Sequence, residues 1–408
     1  MSKKIKISDV LNTTVIVAAL GYFVDVYDLV LFLIVGKKSL AEIGIASELV
    51  LPNFQYLLNV QMIGMLVGGL FWGILGDKKG RLSVLFGSII LYSLANIANG
   101  FVTTLDQYAV LRFIAGFGLA GELGAGITLV SEIMHKDFRG YGTMIVASVG
   151  VTGAVAAALV GRVGWQTAYF IGGGLGISLL LLRIGVFESG FFKNIEKKKV
   201  KQGNFFQLFQ SPEIAWKYIN CILIGLPVWF IIGILIARAP EIAKLLNVQG
   251  SIEQGNSIML CYGGLVFGDL LSGALSQALK SRKKVFLIFY GLNIVFIGIY
   301  LNLYGATNAL FYLLIFLMGF SVGFWAIFVT VASEQFGTNL RATVTTTVPN
   351  FVRGSLVLIA FIFDFLVTKI GVINTAYTVT AGILVISYFS LRGLKETFGR
   401  DLDFIEVS

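Results

Sequence analysis

Apolar runs of about 20 residues or more, parted by short polar turns, recur from one end of the chain to the other. That is the length an α-helix needs to cross the hydrocarbon layer of a bilayer. Twelve such runs are predicted, over 11–35, 53–76, 83–102, 107–133, 141–162, 165–187, 214–238, 252–279, 285–304, 308–334, 342–368 and 372–392. None shows the apolar/polar alternation over about ten residues that marks a membrane β-strand. The longest polar stretch, 188–213, falls between the sixth and seventh runs. It divides the chain into a six-helix bundle over 1–187, a polar linker over 188–213, and a second six-helix bundle with a tail over 214–408.

The two parts repeat one another. Ser131, Glu132 and Arg139 recur as Ser333, Glu334 and Arg341, 202 positions later, each set closing an apolar run before a short hinge. A duplication at half-length in so apolar a chain predicts an all-α membrane protein of twelve transmembrane helices in two pseudo-symmetric bundles, with a small molecule held between them.

Composition agrees. Hydrophobic residues make up 57% of the 408 and charged residues 13%, against roughly half and a quarter in a soluble domain. The net charge of +9 is concentrated in the N-terminal tail, 78–81, 136–139, 193–217, 280–284 and the C-terminal tail. Those segments share one face if both termini do, so the charge reads as a positive-inside signal with cytoplasmic termini, expected in a bacterial inner membrane, and not as a nucleic-acid footprint. The first run is too long for a signal peptide and carries two aspartates. The lysines of the linker are read as a solvated charge cluster that also lies within reach of anionic lipid headgroups.

Cys221 and Cys261 both lie in apolar runs, and His135 is the sole histidine. Neither a disulfide framework, a metal site nor a cofactor is suggested, and no catalytic spacing points to an enzyme. The expected partners are a small-molecule substrate, protons and membrane lipids, with a monomer as the expected state.

The loop after the second run reads Gly73-Ile-Leu-Gly76-Asp77-Lys-Lys-Gly80-Arg81. Two glycines permit a tight turn, Asp77 can accept charge-assisted hydrogen bonds, and Arg81 can bind a carboxylate from another helix. This loop resembles the G-x-L-x-D-[RK]-x-G-R signature of the major facilitator superfamily. The second half echoes it with Gly268, Gly273, Leu275, Gln277 and Arg282, a glutamine standing where the aspartate would fall. Further segments resemble the proton-coupled sugar, phosphate and metabolite symporters of that superfamily: RFIAGFGLAGE at 112–122, NLRAT at 339–343 with Asn350 and Arg353, and LKETFGRDLDFIE at 394–406. The resemblance implies the major facilitator fold. It also implies gating by Gly73, Gly76, Asp77, Gly80, Arg81, Glu132, Arg139, Glu334 and Arg341, with Glu132 and Glu334 as partners of hinge arginines.

A charge at mid-membrane costs about 2.5–3.5 kcal/mol or more, so each one retained there needs a partner or a task. Asp25 and Asp28 are three apart and share a helical face. Asp28 and Arg112 lie at one depth, each about 8–10 Å from the same membrane surface, so they can meet. Such a pair resembles the proton-coupling pair of sugar porters, and Glu122 falls near mid-membrane. Asp25, Asp28, Glu122 and Arg112 are therefore the candidates for proton coupling, with static ion pairs as the alternative. Arg112 and Arg353 are the candidates for holding a substrate anion. For Arg353 a pair with Asp364, eleven residues along the same helix, is the competing reading. Arg183 is expected to snorkel or bind a gate carboxylate. Tyr22, Tyr27, Trp229, Trp325 and Asn350 are candidates to line the cavity, although aromatic residues in apolar helices are more often packing.

These expectations converge on a secondary active transporter, a proton symporter taking up a small anionic or zwitterionic metabolite by alternating access. A proton-driven exporter is disfavoured because the fifth run lacks the glycine-proline element typical of antiporters. A non-transporting sensor is disfavoured because the first hinge motif is intact.

Overall fold

The structure is a computed structural model that describes residues 12–134, 139–188, 205–400 and 406. Twelve helices cross it: α1 Thr13–Glu42, α2 Ser47–Lys79, α3 Arg81–Asn99, α4 in two segments Leu105–Leu119 and Glu122–Ile133, α5 Arg139–Val160, and α6 Trp165–Glu188. Next come α7, which starts as Pro212–Leu223 and runs to Ile236, α8 Gln254–Ala278, α9 Arg282–Tyr300, and α10 in two segments Asn308–Ser321 and Trp325–Gln335. The last two are joined as Arg341–Gly393, a 53-residue run broken at Gly371, whose φ of 77° is open to glycine at no steric penalty. The part before that joint is α11 and the part after it α12. Sequence alone places these two as separate spans; with no polar turn between them, a single residue makes the joint. Among the described residues there is no strand, only one isolated bridge between Gln249 and Thr307.

Side-chain caps start the helices where the apolar runs start. Asn12, Thr104, Ser211, Ser281 and Thr307 each accept a hydrogen bond from the backbone N–H three residues on, filling one of the donors a helix start leaves open. Large apolar side chains such as Leu358, Phe361 and Phe389 are exposed on the outside, as lipid-facing positions must be. The helix α1 extends to Glu42, well past the expected end at 35, because Gly36 and Ser39 pack inward against Phe54 and Tyr108.

Along the face where both described chain ends lie, called here the terminal face, the first six helices meet the last six. The α2 helix packs on α11, α4 on α11, and α5 on α8 and α10. The contacts are small and close. Thr128 and Thr345 hydroxyls lie 2.5 Å apart, and Thr330 donates to Thr143 at 3.2 Å. A Cβ on Gly73 would sit 3.1 Å from Thr343 Cα, and one on Gly69 would sit 3.0 Å from Asn350 Cβ. A Cβ on Gly124 would reach 2.5 Å from the Thr346 Cα, which cannot yield without moving a helix.

Closure of this face therefore depends on glycine at 124. Overpacking of this kind costs about 1–3 kcal/mol, so Gly124→Val is expected to cut the closed population about tenfold. The reporter is oxidative cross-linking of a Thr128→Cys/Thr345→Cys pair; an unchanged yield in the Gly124→Val background would mean that the approach of α4 to α11 does not hold the face shut.

Candidate functional site

Both broken helices are interrupted at a similar distance from their starts, after 15 residues in α4 and 14 in α10. The second segment of α4 begins at Glu122, after Ala120 and Gly121, and that of α10 begins at Trp325. Asp269 on α8 fills the second break, its Oδ1 accepting from the Ala326 N–H at 3.0 Å. A π-helical turn, Ile231–Ile236, follows Trp229 in α7, with Gly233 against Leu356 of α11. Such turns concentrate at functional sites.

Between these breaks lies a pocket with about 300 Å³ of empty space, lined by Tyr22, Trp229, Tyr262, Trp325 and Arg353 together with apolar side chains of α1, α5, α7 and α8. Arg353 reaches it from α11, and Tyr22 faces it from α1. The pocket thus draws on both halves of the sequence. Trp325 Nε1 donates to the Tyr22 hydroxyl at 2.9 Å, a direct bond from one half to the other.

Arg353 is 1% exposed. Its guanidinium stands 5.6 Å from the Trp325 ring centroid and 5.9 Å from that of Trp229, and Nη1 donates to Asn350 Oδ1 at 3.3 Å. Asn350 in turn donates to the carbonyls of Ala120 at 2.8 Å and Thr346 at 2.7 Å, so it holds Arg353 while tying α11 to α4. The acid facing Arg353 is Asp25 of α1, with Oδ2 4.0 Å from Nη2. Neither Asp25 oxygen has a hydrogen-bond partner among the described residues, and the residue is fully buried. This is a loose cross-half pair, held in hydrocarbon and with capacity to spare.

The other buried charges sort differently from the sequence expectation. Asp364 pairs with Arg238 at 2.7 Å, near the far membrane surface, and not with Arg353; three turns along one helix is too far for the two to meet. Glu122 pairs with Arg183 of α6. One Arg183 nitrogen donates to Glu122 Oε2 at 3.1 Å and to the Leu85 carbonyl at 3.0 Å, and a second, shorter bond joins the same pair. Arg183 therefore neither snorkels nor binds a gate acid. Arg112 makes no ion pair within 4.0 Å of Asp28. It donates to Asn96 Oδ1 at 3.1 Å, with Tyr169 5.0 Å, Phe32 5.6 Å and Tyr108 6.0 Å from its guanidinium carbon. Asn96 lies near Asp28 as well, whose carboxylate oxygens have no hydrogen-bond partner among the described residues. Tyr27 lies outside the pocket and donates to the Ala168 carbonyl at 2.9 Å, which fastens α1 to α6.

At the terminal face Glu334 pairs with Arg282 at 3.1 Å, and Arg282 also donates to Ser276 at 2.6 Å. Arg341 donates to the carbonyls of Ser333 and Phe336. Gly73 and Gly76 abut Thr343 and Ala342, and Gly80 turns the loop with φ 90°. The side chains of Asp77, Arg81, Glu132 and Arg139, and the linker over 189–204, lie outside the described residues. Glu406 binds Lys217 and accepts from the Gly337 N–H at 3.1 Å, lacing the tail to α7 and to the turn before α11.

A family model of the Major Facilitator Superfamily matches residues 18–361. The chain belongs to the Major Facilitator Superfamily. Among its superfamily relatives, the putative niacin/nicotinamide transporter NiaP of Bacillus subtilis (strain 168) is 26% identical over 351 residues, 83% of this chain and 84% of the relative. The 3-(3-hydroxy-phenyl)propionate transporter of Escherichia coli (strain K12) is 28% identical over 263 residues, 62% of this chain and 64% of that one. Among solved structures, the proton:xylose symporter XylE bound to 6-bromo-6-deoxy-D-glucose superposes with a TM-score of 0.72 at 14% identity, covering 96% of this chain and 97% of XylE. The twelve-helix fold is thus the superfamily's, and the protein is a multi-pass membrane transporter of small metabolites, not an enzyme.

Sequence reasoning missed Tyr262, the Glu122–Arg183 pair and the place of Asn96. The signal for Asn96 was present: a polar residue one or two turns from Ser88, Tyr92 and Ser93 in an otherwise apolar run.

Proposed function

We propose that the protein is a proton-coupled symporter that takes up a small carboxylate, best a ring acid, across a bacterial inner membrane with its terminal face in the cytoplasm. The observation that carries this reading is Arg353, set between two tryptophans and opposed by Asp25 from the other half of the chain. A planar guanidinium takes a carboxylate in two parallel hydrogen bonds, and indole faces take a ring. The pocket walls are mostly apolar and aromatic with a single buried cation, the make-up of a small-molecule site. The compounds in the relatives' names, niacin and nicotinamide in one and a phenylpropionate in the other, all carry a ring.

The coupling follows from competition for one cation. While Asp25 is ionised it holds the charge of Arg353; once Asp25 is protonated, the guanidinium is free for a substrate carboxylate. Proton and anion then enter together as a neutral pair, the state hydrocarbon tolerates best. The halves over 1–187 and 214–408 rock about this site. When the terminal face opens the anion leaves, Arg353 draws Asp25 back into its ionised form, and the proton is released. Asp28 and Arg112 supply a second charged station one turn away, and the Glu334–Arg282 and Arg341 contacts bias the gate.

The test is uptake of radiolabelled nicotinate, nicotinamide and 3-(3-hydroxyphenyl)propionate by proteoliposomes. An inward proton gradient is expected to drive accumulation of the acids and not of the neutral amide. Should the gradient accelerate entry of none of the compounds that accumulate, the symport reading fails.

A further inference from the structure

One face of α3 carries polar atoms that the pocket does not use. Ser88, Tyr92 and Asn96 are spaced four apart, with Ser93 beside them, and all four are buried at 1% exposure or less. The oxygens of Ser88, Tyr92 and Ser93 and the Asn96 amide nitrogen have no hydrogen-bond partner among the described residues. A buried polar atom left so costs about 1–3 kcal/mol, and several on one face make a strong case for a task. None of these residues lines the central pocket.

The face joins two carboxylate centres. At one end Asn96 accepts from Arg112 and stands beside Asp28. At the other, Ser88 abuts Gly121, where a Cβ would lie 2.9 Å from its own, and Glu122 follows directly. Between them lies Tyr92, packed against Gly118 and Gly176 with its hydroxyl unpartnered among the described residues. From residue 88 to 96 is about 12 Å along the axis. Gly118 lets α4 approach the Tyr92 backbone, its Cβ position lying 2.8 Å from the Tyr92 nitrogen, and Gly176 of α6 faces the Ser93 hydroxyl and the edge of the Tyr92 ring. Beyond Glu122 a second, small cleft, lined by Thr14, Leu82, Leu85, Phe86, Leu129 and Arg183, lies toward the terminal face. Arg183, whose Nε has no hydrogen-bond partner among the described residues, is one of the residues that line it.

We infer that this face of α3 is a proton relay, with Tyr92 at its centre, passing protons from the Asp25/Asp28 pair to Glu122 inside the first six helices and apart from the substrate. The Tyr92 hydroxyl gives its proton toward Glu122 as it takes one from the aspartates, through water at Ser88 and Ser93, so the phenol is never left ionised. Glu122, protonated, keeps a hydrogen bond to Arg183 and hands its proton to water in the second cleft. The aspartate that gave the proton regains its charge beside Arg112 or Arg353. Substrate and proton thus leave by different routes.

The inference rests on the symport reading, and the experiment separates the two. In nicotinate-transporting proteoliposomes, proton-driven accumulation is compared with equimolar exchange, which moves no net proton. Tyr92→Phe keeps the ring and is expected to lower accumulation about tenfold or more, the scale of a lost proton-transfer group, while exchange stays within about twofold. Ser88→Ala combined with Ser93→Ala should show the same split at smaller size. Accumulation at the wild-type level in Tyr92→Phe, or parallel loss of exchange and accumulation in both variants, overturns the relay. Absence of gradient-driven accumulation in the wild type overturns the symport reading itself, and the relay with it.

Discussion

Replacing Arg353 with alanine is expected to weaken binding of a carboxylate substrate by about 100-fold or more and to abolish its accumulation. Truncating one side of a buried, hydrogen-bonded charge pair costs about 2–5 kcal/mol, and here the same cation serves both Asp25 and the proposed anion. Arg353→Lys keeps the charge but loses the planar fork and the stacking between Trp229 and Trp325, so a loss of about tenfold is expected. Thermal stability of the purified variants guards against the trivial outcome. With its partner gone, Asp25 would be an unpaired buried charge, which takes up a proton in preference to unfolding the protein. Arg353→Ala is therefore expected to be folded and inactive, and a double Arg353→Ala/Asp25→Asn protein to be folded and equally inactive. Nicotinate titrations followed by tryptophan fluorescence supply the affinities; Arg353→Ala binding at wild-type strength would remove the arginine from the site.

How much of this could be read from the chain divides cleanly between depth and rotation. Depth was legible, because rise per residue is constant: the helix positions, the level of Arg112 with Asp28, and the mid-membrane place of Glu122 all follow from counting. Rotation about each helix axis was not, and ion pairing depends on it. Glu122 is at the right depth for several cations, and only the orientation of α4 toward α6 selects Arg183. Arg353 and Asp364 share a helix and look like partners in one dimension. In three, Asp364 turns to Arg238 and Arg353 to Asp25, 328 positions away in sequence. The doubled Ser-Glu…Arg segment located the hinges, and its expected pairing of Glu334 with a hinge arginine is the one the fold makes. Glu334 meets Arg282 although Gln277 stands where the echoed motif would have aspartate. That Gly124 meets Thr346 and Gly69 meets Asn350 across the two halves required the fold.

Asp25→Asn is expected to separate binding from coupling. The amide resembles the protonated acid in size and charge, so Arg353 is left free at every pH. Substrate affinity should then match or exceed the wild type near neutrality. It should also lose its dependence on pH, because the group whose protonation admits the anion no longer titrates. In the wild type the sign is opposite: affinity for nicotinate rises as pH falls, since each anion bound requires a proton on Asp25, up to tenfold per pH unit where that acid is ionised. Transport follows from the same competition. Exchange needs only the neutral form and is expected to persist in Asp25→Asn, whereas accumulation against a gradient, which needs the proton to be released at the terminal face, is expected to fall about 100-fold. Asp28→Asn provides the contrast, because Asp28 faces Asn96 and Arg112 and does not compete for Arg353; its binding should keep the wild-type pH slope. A flat pH profile in Asp28→Asn together with a wild-type profile in Asp25→Asn would reverse the assignment. It would place the coupling proton at the Arg112 station and leave the Asp25–Arg353 pair as a static brace between the halves.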